Sequence, residues 1–302
     1  MKKNTRREFL RSGVLMASLT AFSTPRFLKD EAILRIDVSS IDPNISLLQS
    51  GGLNGIYSNP DLLGGLQAIQ MYIQSKGANS VLLDSGNFID PDQSIDYNLE
   101  YLKELINTGL SVAAIGNHES ELPPQDLHFL VKNSNLKVLG NSLEKNGLVL
   151  GETYFSKAII QWGKFKVGIL PTRNASLSEI NRRGLELKLL HQCDMLIGLG
   201  PLPLSGDLKQ LVKKHHEVNH YFVDSEDKSL LGTQVFKTSK GMEFWVSKPG
   251  NHGKYLGVFA YTINQSYKLN HFSNYSCIPG EATWNKKMAI LSQSSHFPNP
   301  KS

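Results

Sequence analysis

Two short apolar runs in this chain close on the same kind of residue, and that repetition limits the folds open to it. Ser80-Val81-Leu82-Leu83 runs into Asp84-Ser85-Gly86-Asn87-Phe88, and Ser111 to Ile115 runs into Gly116-Asn117-His118-Glu119. Short apolar runs bounded by turn formers read as buried strands. Between them, Tyr97 to Asn107 has helical spacing and is closed by Gly109. Strand, helix, strand is the unit of an α/β fold with a parallel sheet. Loops at the carboxyl ends of such strands converge, so polar residues there are candidates for a site. A lone Asp after a strand is usually a turn former or cap. A third junction, Asp37 after Ala32-Ile33-Leu34-Arg35-Ile36, makes a site or its descendant the stronger reading.

The rest of the chain keeps the alternation. Leu63 to Gln74 places Leu63, Leu66, Ile69 and Ile73 on one helical face. Further strands are expected at Val138-Leu139, Ala158 to Gln161, Lys166 to Leu170, Met195 to Leu199 and His220 to Val223. A helix from Asp207 to Lys214 links the last two. From Phe236 to Tyr261, alternating apolar and polar residues predict antiparallel strands. No internal repeat is visible, and the polar, proline-containing stretch 279–302 reads as a loose tail.

The amino terminus reads Thr5-Arg6-Arg7-Glu8-Phe9-Leu10-Arg11, then an apolar run from Val14 to Phe22. Paired arginines before a short apolar segment are the pattern of a twin-arginine export signal. The run is too short to span a bilayer core of about 30 Å as a helix. Residues 1–30 are therefore expected to act as an export signal, 31–278 to form the folded domain, and the protein to be periplasmic or extracytoplasmic. A membrane association is expected only if the signal stays uncleaved. The net charge of +5 and pI near 9.0 come without a basic stripe interleaved with aromatics, which argues against nucleic acid as a partner. Cys193 and Cys277 are the two cysteines, available to pair in an oxidising compartment, although Cys193 reads better as a small buried hydrophobe.

Leu53-Asn54-Gly55, Gly64-Gly65-Leu66, Leu139-Gly140-Asn141 and Gly253-Lys254-Tyr255-Leu256-Gly257 add to the two opening junctions. Together they resemble the calcineurin-like metallophosphoesterases in their 5′-nucleotidase version, over Ile33 to Ile263. The resemblance implies an α/β layered sandwich of mixed β-sheets flanked by helices, and a dinuclear metal site assembled from separate sequence blocks. The block usually reading Asp-x-His is here Asp37-Val38-Ser39. The block that carries the bridging aspartate is here Gly86-Asn87, and Gly-Asn-His-Glu is intact as Gly116 to Glu119. Pro201 falls where a histidine is usual, and the Gly-His-x-His block falls on Asp224-Ser225-Glu226-Asp227.

Carried over residue by residue, the resemblance makes Asp37, Asn87, Asn117 and Asp227 the metal ligands and His118 the catalytic residue. Two divalent cations need carboxylates, one of them bridging, plus imidazoles. With so few anions aligned, the expectation is one divalent metal (Mn, Zn or Mg) or none. His191, His215, His216, His220 and His252 are nearby alternatives, read as exposed or capping histidines. Family 5′-nucleotidases also carry a C-terminal nucleoside-binding domain, and the expectation from a chain of this length is that it holds none. Two readings follow. One is an exported binding or scaffold protein with a degenerate site, taking a protein partner or a phosphorylated small molecule. The other is a hydrolase of phosphate esters, nucleotides among them, with one metal or a rearranged site.

Overall fold

In chain order the strands are β1 (Ile33–Asp37), β2 (Asn44–Ser50), β3 (Ser80–Asp84), β4 (Leu110–Ala114), β5 (Val138–Leu139), β6 (Tyr154–Phe155) and β7 (Lys157–Trp162). They continue as β8 (Phe165–Pro171), β9 (Met195–Leu199), β10 (His220–Phe222), β11 (Gly232–Lys237), β12 (Glu243–Lys248), β13 (Leu256–Ile263) and β14 (Leu269–Cys277). A computed structural model describes residues 32–38, 44–58, 64–76, 80–140, 152–202, 208–214, 216–224, 232–263 and 269–279. The segment 1–30 expected to be an export signal, Asp227, His215 and the stretch beyond 279 lie outside them. The strands form two seven-stranded sheets, ordered β14-β13-β2-β3-β4-β5-β6 and β1-β7-β8-β9-β10-β12-β11.

Period-two alternation along the strands builds the layers. Leu47, Val81, Leu83 and Val112 of the first sheet meet Ile160, Ile169, Ile197 and Phe222 of the second in a core between the sheets. Their neighbours point the other way. Leu48, Leu82 and Ala113 pack under Leu102, Leu105 and Leu130 of the helices Ile95–Asn107 and Pro124–Ser134. On the far side, Ile159, Leu170 and Leu196 pack under Ile180 and Leu187 of the helix Leu177–Leu189. The result is helix, sheet, sheet, helix.

Local chemistry sets the helix ends. Ser94 accepts a hydrogen bond from Tyr97 N at 3.1 Å and Ser176 one from Glu179 N at 3.2 Å, each capping the helix that follows. Asn135 closes its helix in the left-handed region at φ 61°. The expected strands and helices are present; β11 and β12 pair antiparallel as the alternation predicts, and β13 is antiparallel to β2 and β14. Elements that go beyond those expectations include β2, β6, β14 and the helices Pro124–Ser134 and Leu177–Leu189. Among the described residues no helix is long and apolar enough to cross a membrane. Cys193 and Cys277 are free thiols, and burial pushes Cys193 up to about 11.

Candidate functional site

Parallel pairing of β2, β3 and β4 brings three loops together at one edge of the first sheet. Ser50 stands opposite Asp84, and the pairing runs on past the strands: Gly52 N donates to Gly86 O at 2.9 Å and Asn54 N to Asn87 O at 3.0 Å. The second sheet adds the ends of β9, β10 and β12, which run parallel to one another. Gln49 ties the two edges, its Nε2 donating to Ser247 O at 2.9 Å and Val223 O at 3.3 Å.

Glu119 fastens the loops on the first sheet. It is fully buried, and its carboxylate accepts from four backbone amides: Gly116 at 2.8 Å, Asn87 at 2.9 Å, Phe88 at 2.8 Å and Ile89 at 3.1 Å. Burial raises its pKa while those donors pull the other way. Asp84 does similar work for the neighbouring turn. It accepts from the Ser50 hydroxyl at 2.7 Å and Gly86 N at 2.8 Å, and burial pushes its pKa up to about 8. Neither carboxyl is available to a ligand.

Asn87 sits at φ 56° directly after Gly86 at φ 112°. Its Oδ1 accepts from His118 N at 2.9 Å, and its Nδ2 donates to Asp224 Oδ2. The amide is therefore a strut joining the two sheets through Asp224. His118 is half-buried, with Nδ1 3.3 Å from Ile89 O, and Asn117 is exposed at the start of the short helix Asn117–Glu121. Asp224 is 6% exposed; burial, then the charge of Glu119, pushes it up to about 7, while Asn87, Lys248 and His118 act to lower it.

Asp37 does not join this cluster. It is exposed at the end of β1, an edge strand of the second sheet. β1 runs parallel to β7, which runs antiparallel to β8, and β8 is parallel to β9. The end of β1 therefore points to the opposite edge, where Asp37 faces Gln161 and Gln161 faces Lys166. The loop beside Gly86-Asn87 belongs to β2 instead, and it brings Gly51, Gly52 and Asn54. A Cβ at Gly51 would lie 2.3 Å from Ser85 Oγ, so bare backbone packs here. Two of the alternative histidines are neither exposed nor capping. His216 is buried against Tyr221 and Phe244, and His220 is enclosed by Phe222 and Phe259 with its Nε2 2.7 Å from Ser247 Oγ.

Sequence reading misses Gln49, Lys248 and Arg173 as residues of this edge. Asn54 enters through the resemblance alone, and the block alignment favours Asp227, three positions on from Asp224. The signal that reaches Asp224 is its place directly after the buried run His220 to Val223.

No protein-family model and no curated protein sequence matches the chain. Solved structures do match. The 5′-nucleotidase precursor of Thermus thermophilus superposes with a TM-score of 0.61 at 17% identity, over 83% of this chain and 60% of that one. The fold is that of the 5′-nucleotidase-like metallophosphoesterases. The NAD nucleotidase of Haemophilus influenzae gives 0.59 at 14% identity, over 78% of this chain and 50% of its own length. The calcineurin-like phosphoesterase YfkN of Bacillus subtilis gives 0.57 at 15% identity, over 83% and 97%. This chain thus spans about half to three-fifths of the two nucleotidase structures.

A metallophosphoesterase-type metal pair does not fit the donors described at this edge. Among the described residues no three His, Cys, Asp or Glu side chains gather as a metal site. At this edge Asp224 is bonded to Asn87 and acted on by the charge of Lys248, while Asn87 and Asn117 are neutral amides. Neutral oxygens around one shared carboxylate are a poor match for two hard dications.

Proposed function

We propose that this chain is an exported protein of the 5′-nucleotidase-like metallophosphoesterase fold that binds in its cleft, with weak or no phosphoesterase activity. The observation that carries this reading is the bond from Asn87 to Asp224. Where the catalytic version of the site requires a bridging carboxylate, an amide is turned inward and used as a structural strut. The occupant that suits the cleft is a phosphorylated small molecule or an acidic segment of a protein partner. Lys248, the half-buried Arg173 after β8 and His118 are the charged and titratable groups that favour an anion. The twin-arginine segment supports export.

A second reading, hydrolysis of phosphate esters with one divalent metal, is favoured by His118, which stands beside the cleft with its ring held near Ile89 O. In that case Asp224 is the described carboxylate available to such a metal. His118 would act on the phosphoryl group or the leaving oxygen, as the resemblance implies.

Metal content of the folded protein, with and without added manganese or zinc, separates the two when measured alongside phosphate release from nucleoside monophosphates. Binding without turnover predicts no retained metal, no phosphate release, and a thermal shift with the unhydrolysed nucleotide. About one metal per chain, with turnover abolished by His118→Ala, would favour the hydrolase. About two metals per chain would overturn both.

A further inference from the structure

Asp37 stands apart from the site, on a strand that is itself incompletely used. Among the described residues β1 pairs with β7 and has no strand on its other side. Val38 N donates to Gln161 O at 2.9 Å, and Ala32 O accepts from Ser156 N at 3.0 Å, so the backbone of the even-numbered residues faces β7. Successive residues of a strand present their N–H and C=O to opposite sides. Ile33, Arg35 and Asp37 therefore turn theirs outward, a row of groups able to pair with another strand.

Side chains alternate too, between the two faces of the sheet. Arg35 stands opposite Ile159, which packs under the helix Leu177–Leu189, and Asp37 shares that face. Both are exposed, and neither has an ion-pair partner among the described residues. Ala32, Leu34, Ile36 and Val38 take the other face. They pack on the core between the sheets yet stay partly exposed, so the apolar layer reaches β1 and is left open at its rim.

A charge on an edge strand normally keeps other strands away. Arg35 and Asp37 do so in most alignments and complement each other in one. Two copies of β1 related by a two-fold axis run antiparallel, and their bonded pairs must come from Ile33, Arg35 and Asp37 of each. Centring the pair on Arg35 sets arginine against arginine, and centring it on Asp37 sets aspartate against aspartate, both unfavourable. Centring it on Ile33 or Leu34 leaves Asp37 beyond the paired strand. Centring it on Ile36 sets Arg35 opposite Asp37 of the second copy, twice by symmetry. On the other face Ile36 then meets Ile36 and Leu34 meets Val38, which closes the open rim.

We propose that β1 is a self-association surface, on which a second copy of this chain adds its own β1 antiparallel, centred on Ile36, with Arg35 of each copy facing Asp37 of the other. The pairing joins the second sheets of both copies into one. β7 and β8 stand between it and the site strands β9, β10 and β12. So short a pairing is a small interface, and the dimer is weak and concentration-dependent.

Sedimentation equilibrium of the full chain tests this over roughly 5–500 μM, the range suited to a small interface. The wild type should pass from monomer to dimer, less readily as salt is added. Arg35→Asp and Asp37→Arg should each weaken association by about tenfold or more, since two attractive pairs become repulsive. The double variant should restore it, and so should an equimolar mixture of the two single variants, whose charges are complementary. Hydrogen exchange of the wild type gives a second readout. Protection of the Arg35 and Asp37 amides should rise with protein concentration, while that of Leu34 and Ile36, already bonded to β7, stays constant. A wild type that remains monomeric would overturn the proposal. So would Arg35 and Asp37 amides that exchange at one rate at every concentration, because the edge is then either covered by the chain itself or left unpaired. Dimers indifferent to the single variants, or not recovered by the double variant, would place the association elsewhere on the molecule and overturn it equally.

Discussion

Asp84 shows how one residue can serve the site without entering it. Its carboxyl is pushed from 3.8 to about 8, by burial first and then by the charges of Glu119 and Asp224, against the pull of its two hydrogen bonds. The folded chain keeps a proton that the unfolded chain releases above about pH 4. The stability contributed by protonated Asp84 is therefore complete below pH 3.8 and is lost as pH rises through about 8. His220 works in the opposite sense. Burial lowers it from 6.5 to about 3, so its contribution is present above 6.5 and fades as pH falls. Comparing two proteins cancels that background. Asn at position 84 can accept from Gly86 N and donate to Ser50 Oγ. Asp84→Asn should accordingly gain on the wild type by a few kcal/mol, to order of magnitude, between about pH 4 and pH 8. Urea unfolding of both proteins at several pH values measures the gap, and a constant gap would refute the assignment.

At the scale of elements, legibility depends on what neighbouring strands share. The loops after β3 and β4 can be read because each follows an apolar run and carries Gly with Asn, Asp or His. The loop after β2 cannot. Asn44-Ile45-Ser46-Leu47-Leu48-Gln49-Ser50 buries a glutamine and a serine, so the run looks broken in sequence although its last four residues are buried. With β2 hidden, β1 becomes the nearest candidate, and Asp37 is drawn into the site although β1 points to the other edge of the other sheet. Strand order in sequence carries no information about that direction. The close approach of the β3 and β4 loops makes its own prediction. Gly86 has φ 112°, and a Cβ there would lie 2.7 Å from Gly116 Cα. Gly86→Ala adds backbone strain to a clash with main chain, which cannot rotate away. A loss of roughly 2–5 kcal/mol is expected in urea unfolding, with faster hydrogen exchange at the amides of Asn87 to Ile89. A loss below about 1 kcal/mol would mean that the loops part easily.

Across the whole molecule, the two sheets are held together by an apolar core that reaches the site edge and stops there. Beyond Leu47, Leu83 and Phe222 the contact passes to polar groups, with Gln49 as the crossing point. Its orientation is decided by its partners. Two carbonyls, Val223 O and Ser247 O, need a donor, so Nε2 faces them, and Oε1 is left without a hydrogen-bond donor among the described residues. Gln49→Glu keeps the shape and reverses this chemistry. An ionised carboxylate would face two carbonyl oxygens in a fully buried position, which destabilises by roughly 3 kcal/mol or more. A protonated carboxyl can still donate to Ser247 O. The folded-state pKa of Glu at this position must then be raised, so its penalty is absent at low pH and grows as pH rises through the neutral range. Unfolding of this variant should stay cooperative, with its deficit against the wild type small near pH 5 and large near pH 8. A deficit independent of pH would mean that the two sheets are joined at this edge by packing alone, and that the cleft is held open or shut by something other than Gln49.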